Sequence, residues 1–477
     1  MKVTVIGTGY VGLVTGACLS YLGHKVICVD TDAEKIAALQ SGELPFYEPH
    51  LPELMKLVRT QGGIDFACEA GPAVAGSDVV FIAVGTPSLP SGEADLTALK
   101  SAARSIGAGF GSSLDPRFRV VVTKSTVPVG SANLVEAVVR EVILESAADP
   151  GSIHFGVVSN PEFLREGSAV ADSLYPERIV LGSADARALE VLERLYEPLR
   201  RQAFAPPAFL RRPRRRAEVP LVKTSLTSAE LIKYASNAFL AMKISFANEM
   251  ANISDRVGAD VLEVMRGISL DSRIGTLFLN AGIGWGGSCF RKDIQSLLYT
   301  ANEYGYSAPL LDATLRVNHL QRTWVIRKLQ EKLFVLKGRT IALLRLAFKP
   351  GTDDLRDAPS LEIASWLLAA GANVKVYDPV AMAACAQQHP HLDLVYAHSA
   401  ADAAKDAHAA VLVTEWDQFR QLDLPAMARA MARPLLVDGR NLFDAVVARR
   451  AGFDYIALGR SAGVSQPVYM MQPAVAG

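Results

Sequence analysis

The sequence predicts an α/β protein with two Rossmann-like, doubly wound domains joined by a central helical dimerisation segment. Three observations predict it. Short apolar runs alternate with helical stretches up to about Tyr196. The pattern then becomes helical from Ser228 to about Leu333. Finally the alternation of strands and helices returns and continues to about Gly459.

Residues 2–30 read as strand, tight turn, helix and strand. The runs SDVVFIAVGTP, RVVVTKSTVPVG and HFGVVSNPEF follow as buried strands of a parallel sheet. Sites on such sheets lie beyond the carboxyl ends of the strands, which here carry Gly85-Thr86-Pro87, Ser125-Thr126 and Asn160-Pro161-Glu162. These elements define a first domain over 1–197. Residues 197–223 hold five prolines, two acids and a run of arginines, and read as a loop outside any packed layer. We set this connection at 198–227. In SAELIKYASNAF, Leu231, Tyr234, Ala235, Ala238 and Phe239 are read as one apolar stripe. A second long helix follows from about Ser307 to Leu333, completing a helical region over 228–335. The runs RTIALLRLAFK, NVKVYDP, AAVLVTEW and PLLVDGR mark the second α/β domain, 336–460. Residues 461–477 are read as a loose tail.

Composition excludes several classes. The 477 residues are 50% hydrophobic and 21% charged, as in a folded domain. Lys+Arg and Asp+Glu are both 49, so no overall field attracts nucleic acid or anionic membrane. No apolar run approaches the roughly 18 residues of a membrane span. The N-terminus enters a strand directly, without a hydrophobic leader. Five cysteines without CxxC pairs argue for a reducing compartment, with the cytoplasm as the default.

Gly7-Thr8-Gly9-Tyr10-Val11-Gly12 is a G-x-G-x-x-G between a strand and a helix, and Asp30 ends the next strand. The glycines permit the turn, the approach of a pyrophosphate and close helix packing. Asp30 would accept from a ribose diol and repel a 2′-phosphate, which favours NAD over NADP. An ordinary βαβ turn is the plain alternative. Cys289 follows a glycine-rich run, GIGWGGS, and precedes an amphipathic stretch. A thiol at a helix N-terminus is more readily ionised. Cys18, Cys28, Cys68 and Cys385 read as packing residues. Asp293 lies four residues past Cys289 and could be only a helix-start acid. Lys233 and Asn237 are also four apart, and Lys233 reads equally as a snorkelling or a buried functional amine. The histidines show no metal-binding spacing, so no metal is expected.

Together these motifs resemble the UDP-glucose/GDP-mannose dehydrogenase family, from about Met1 to Gly459. The resemblance rests on GTGYVG, VGTP, STVPVG, NPEFLREGSA, SAELIKYASNAF, GWGGSCF-x-KD and LAFKPGTDDLRDAPS, in that order. It implies a homodimer that oxidises a sugar C6 alcohol twice with two NAD, and UDP-glucose as substrate. GDP-mannose, a UDP-N-acetylhexosamine, or a catalytically impaired binding homologue are the alternatives. Outside the family, a two-electron hydroxyacid dehydrogenase would share the layout. By resemblance Cys289 is the nucleophile, and Lys233 and Asn237 stabilise oxyanions. Asp293 handles the first proton, alone through water or with Lys233. Glu162 directs the hydrolytic water, and Thr126 helps hold it. NAD falls to Gly7, Gly9, Tyr10, Val11, Gly12, Asp30, Lys35, Thr86, Thr126, Glu166 and Arg356. The sugar nucleotide falls to Glu162, Leu164, Lys233, Asn237, Phe278, Gly286, Phe348, Lys349 and Arg440. Arg273 would reach the partner subunit's site. Three departures stand out: Arg291 where proline is frequent, Arg345 where glycine is usual, and the Arg/Pro-rich connection. An arginine inside IALLRLAF needs a charge partner or an exit to water.

Overall fold

A computed structural model describes residues 1–113, 115–213 and 218–460. The chain forms two compact units. One comprises Met1–Asn237 with Lys292–Ser307, the other Ala238–Arg291 with the chain from Ala308 onward. The helices of the region 228–335 fall partly in one unit and partly in the other. A long helix, Leu226–Val257, passes from the first to the second.

The first unit is built on eight strands: β1 (Lys2–Ile6), β2 (Lys25–Val29), β3 (Ile64–Ala67), β4 (Val79–Ile82), β5 (Arg119–Thr123), β6 (Phe155–Ser159), β7 (Ile179–Gly182) and β8 (Leu221–Thr224). Their order is β3-β2-β1-β4-β5-β6-β7-β8. All neighbours are parallel except β6 and β7, where Ser159 faces Gly182. The central strands β4, β5 and β6 are buried throughout, because helices cover both faces of the sheet. This explains their largely apolar, valine-rich sequences. The order reverses between β1 and β4, so the strand ends there open a crevice for a ligand.

The connection 198–227 is not simply a loop. Its end supplies β8, parallel to β7. Its aromatic residues pack inward: Phe204 stacks on Tyr175 at 5.8 Å and meets Tyr21 edge-on at 6.2 Å. The arginines dominated its composition and hid these anchors. Arg214, Arg215 and Arg216 lie outside the described residues, as does the tail 461–477.

The second unit holds β9 (Thr340–Leu344), β10 (Asn373–Tyr377), β11 (Leu394–Tyr396), β12 (Ala409–Leu412), β13 (Leu435–Asp438) and β14 (Asp454–Ala457). All are parallel, in the order β11-β10-β9-β12-β13-β14. The helix Pro309–Leu333 buries Trp324, Val325 and Leu329 in this core. Trp324 Nε1 donates to Asp255 across 3.2 Å, so its one polar atom is satisfied.

Two expectations about faces are corrected. On Leu226–Val257 the buried face carries Glu230, Lys233, Tyr234, Asn237, Ala238 and Ala241, while Leu231, Ala235 and Phe239 are exposed. Polar partners inside the fold outweigh the apolar pattern there. Cys68 is exposed, whereas Cys18, Cys28 and Cys385 are buried packing residues as expected.

Candidate active site

The turn after β1 has the geometry of an anion cradle. Gly7 has φ 101°, and a Cβ on it would come within 2.5 Å of the Ala83 carbonyl oxygen. A Cβ on Gly12 would lie 1.9 Å from the Gly7 carbonyl oxygen, so neither position admits a side chain. The space around Gly9 is open. The helix Tyr10–Tyr21 starts there without a side-chain cap or a first-turn acid, which leaves its N–H groups for an anion. Asp30, just past β2, accepts from Thr8 N at 2.9 Å, Thr8 Oγ1 at 2.7 Å and Lys35 Nζ at 3.1 Å. Burial works against the Asp30 carboxylate, but these bonds prevail and hold it below the usual range. Thr86 Oγ1 donates to the Thr126 carbonyl across 2.7 Å, tying the ends of β4 and β5 together. Tyr10 stacks on Phe46 at 4.5 Å, and its hydroxyl accepts from Gly167 N at 3.0 Å. A dinucleotide with an unphosphorylated ribose fits this set.

Beyond β6 four polar side chains meet in the interior of the first unit. Glu162, Lys233, Asn237 and Asp293 are exposed by only 7%, 4%, 7% and 1%. Lys233 Nζ lies 2.9 Å from Glu162 Oε1, and Glu162 Oε2 accepts from Leu164 N at 2.7 Å. One helical turn on, Asn237 Nδ2 donates to Asp293 Oδ2 across 2.6 Å. Lys292 Nζ meets the other Asp293 oxygen at 2.6 Å. Asp293 also lies in the first turn of the helix Phe290–Glu303, where the backbone dipole favours an anion. Burying so many charges is costly unless each is paired, and here each is.

Cys289 stands in the second unit, exposed, one residue before that helix, with its Sγ 3.3 Å from Ser288 Oγ. The glycine-rich segment ahead of it is seated by side chains of the same unit. Asn248 accepts from Gly282 N at 2.7 Å, and Asn318 accepts from Trp285 N at 2.7 Å. Arg322 and Arg440 donate to the carbonyls of Trp285 and Gly284 at 3.0 and 3.1 Å. Gly286 abuts the Asp357 carbonyl. Gly287, at φ 90°, lies so close to the Phe348 ring that a Cβ would come within 2.6 Å. The glycines thus let the loop press against Phe348. Arg291 is tolerated on the helix, its guanidinium 3.3 Å from Asp357.

The other expected residues have these places. Leu164 and Glu166 share the loop after β6 with Glu162. Val11 packs against the core of the first unit. Lys349 Nζ lies 5.2 Å from the Phe348 ring centroid, and Arg440 Nε donates to the Val413 carbonyl at 2.7 Å. Arg356 forks onto Asp354 and borders a cavity of about 520 Å³ in the second unit. Phe278 adopts φ 63°. Arg273 is 87% exposed and forks onto its own chain's Asp271. Among the described residues no group of three His, Cys, Asp or Glu side chains could hold a metal, and no helix is long and apolar enough to cross a membrane.

Three further residues were not singled out from the sequence. Lys124 donates to Asn160 Oδ1 at 3.0 Å. Burial pushes its amine down to about 8, Lys233 pushes the same way and Glu162 opposes. Glu230 is buried and accepts from Gly130 N and Ala132 N at 2.7 and 2.8 Å, at the start of the helix Ser131–Ser146. Burial pushes its carboxyl up to about 7 despite those bonds. Glu48 accepts from Gly167 N and Ala169 N, both at 2.6 Å. Lys124 had a signal, as the one cation inside the run following β5. The two glutamates had none, because their partners are backbone groups distant in sequence.

Comparison with known proteins covers nearly the whole chain. Residues 1–200 match the NAD binding domain of the UDP-glucose/GDP-mannose dehydrogenase family, 227–320 its central domain and 342–445 its UDP binding domain. A UDP-glucose 6-dehydrogenase of Rhizobium meliloti is 45% identical, covering 96% of this chain and 100% of its own. One from Bacillus subtilis is 43% identical, covering 97% and 94%. The solved structure of a UDP-glucose dehydrogenase from Pyrobaculum islandicum matches with TM-score 0.83 and 37% identity, over 95% of this chain and 96% of that one. With the dinucleotide turn, the buried Glu-Lys-Asn-Asp cluster and the seated cysteine in place, the chain belongs to the UDP-glucose/GDP-mannose dehydrogenase family.

Proposed function

We propose that this protein is an NAD-dependent UDP-glucose 6-dehydrogenase that converts the C6 alcohol to the carboxylate in two oxidations. The observation that carries the reading is the buried quartet Glu162, Lys233, Asn237 and Asp293, linked at 2.9 and 2.6 Å. Cys289 stands at the head of the helix that carries Asp293. The turn Gly7–Gly12 would hold NAD with Asp30 on the ribose, and NAD would supply the hydride acceptor, one molecule for each oxidation. Lys35, Thr86, Thr126 and Glu166 would complete that pocket, and Arg356 would pair with the pyrophosphate.

In the first oxidation Asp293, through water or with Lys233, takes the hydroxyl proton as C6 becomes an aldehyde. The Cys289 thiolate then adds to that carbonyl, giving a thiohemiacetal. Lys233 and Asn237 donate to the oxyanion. Loss of the second hydride leaves a thioester on Cys289. A water directed by Glu162 and steadied by Thr126 cleaves it, releasing the acid and restoring the thiol. Leu164, Phe278, Gly286, Phe348, Lys349 and Arg440 would hold the sugar nucleotide.

A homodimer is part of this reading. Phe239, Phe246 and Ile253 are exposed at seven-residue spacing on Leu226–Val257, an apolar stripe suited to a second copy. Arg273 would cross that interface into the partner's site. Unbridged cysteines fit a cytoplasmic location.

The test is stoichiometry. Two NADH per UDP-glucose, with an acid as product, are expected. Cys289→Ser should abolish acid formation and keep NAD binding. One NADH with an aldehyde or ketone as final product would reject the reading.

A further inference from the structure

The second sheet repeats the nucleotide turn of the first with one substitution. Gly7 follows β1 at φ 101°, and Arg345 follows β9 at φ 95°. Gly7 N donates to Val29 O and Arg345 N to Tyr377 O, both at 2.7 Å. Asp30 accepts from Thr8 N at 2.9 Å, and Asp378 accepts from Leu346 N at 2.9 Å and Ala347 N at 3.1 Å. A branched cation thus occupies a backbone conformation that suits glycine.

The side chain is fully buried and turned under the loop that follows. Nε lies 3.5 Å from Asp378 Oδ2 and donates to the Ala347 carbonyl at 3.4 Å. Nη2 donates to the carbonyls of Lys349 and Thr352, the latter at 3.3 Å. The guanidinium lies 4.5 Å from the Trp416 ring centroid. One guanidinium therefore gathers three carbonyls of residues 347–352, and Asp378 meets it from below. Phe348, within that loop, backs Gly287, two residues before Cys289.

We propose that Arg345 is a positioning residue, holding the 347–352 loop so that Phe348 and Lys349 meet the sugar nucleotide and Phe348 supports the Cys289 loop. The proposal rests on the substrate reading of Phe348 and Lys349. Arginine suits the task because its planar fork can serve several acceptors at once, which lysine cannot.

The experiment compares the full-length protein with Arg345→Gly and Arg345→Lys, measuring UDP-glucose and NAD affinities separately by calorimetry, and kcat. Glycine accepts the backbone angle, so Arg345→Gly removes only the side chain. Its UDP-glucose affinity should fall at least tenfold while NAD affinity stays within twofold. Arg345→Lys, reaching fewer carbonyls, should fall between the two. Wild-type UDP-glucose affinity in either variant overturns the proposal, as does an equal loss for both ligands. Should Arg345→Gly not fold, Arg345→Lys decides by the same criterion. A wild-type protein that binds a different nucleotide sugar instead of UDP-glucose would refute the substrate reading alone, and the comparison is then made with that nucleotide sugar.

Discussion

The side-chain amide of Asn237 donates to the carboxylate of Asp293 across 2.6 Å, with both groups buried. Lys292 Nζ meets the other carboxylate oxygen at 2.6 Å, so both Asp293 oxygens are engaged. Asp293→Asn keeps the shape and removes the charge. It should lower kcat by about 100-fold or more, the usual worth of a positioned acid or base. NAD affinity should be unchanged. Steady-state kinetics with NAD titration checks this, and a kcat within a few-fold of wild type would remove Asp293 from the chemistry.

Asp30 should govern cofactor choice. Asp30→Ala should weaken NAD binding by about tenfold or more, since hydrogen bonds to a charged group contribute roughly 1.5–3 kcal/mol. Discrimination against NADP should shrink in parallel. The Asp30 carboxyl is held below its unfolded-state value. Its contribution to stability is therefore present above about pH 4 and lost as pH falls through the lower folded value. Urea unfolding of wild type and Asp30→Asn should differ by a constant amount above pH 5 and converge in stronger acid. Unchanged kinetics with both cofactors would show that Asp30 does not face the ribose.

Glu230 has the opposite sign. Its folded carboxyl titrates near 7, above the ordinary 4.5. A raised value favours the fold fully below the unfolded pKa and loses that favour as pH rises through the folded one. Between pH 4.5 and 7 the wild type should therefore lose up to about 3 kcal/mol relative to Glu230→Gln. Urea unfolding of both proteins at pH 5 and pH 8 measures the difference. An equal gap at both values would mean that Glu230 stays charged throughout.

Shared sites would be exposed by complementation. Mixed dimers of Arg273→Ala with Cys289→Ala place both defects in one site and leave the other intact. Activity should partly recover. No recovery in heterodimers proven by mass would mean that each subunit uses its own Arg273.

Much of the first sheet was legible because its signals are local. Gly7 needs a positive φ and both Gly7 and Gly12 need contact without a Cβ, so no other residue substitutes for them. Cys289 was placed correctly ahead of its helix because a glycine run cannot continue one. The face of Leu226–Val257 was misread, since hydropathy counts Leu231 and Phe239 as core and does not see that Glu162 and Asp293 wait inside for Lys233 and Asn237. The edge strand β8 was hidden by the arginines before it. The two capping glutamates were illegible for a related reason: their partners are backbone amides distant in sequence.

The loop that carries Glu162, Leu164 and Glu166 is tied at both ends. Asn160, held by Lys124 and by the Tyr196 hydroxyl at 2.6 Å, fixes its start, and Glu48 clasps the amides of Gly167 and Ala169 at its end. Its conformational entropy is surrendered when the chain folds, not when a ligand arrives. Association at this loop starts from a preorganised surface, so little of the binding entropy should come from ordering it. The tether also makes the shape of this loop depend on residue 48, more than a hundred positions upstream in sequence.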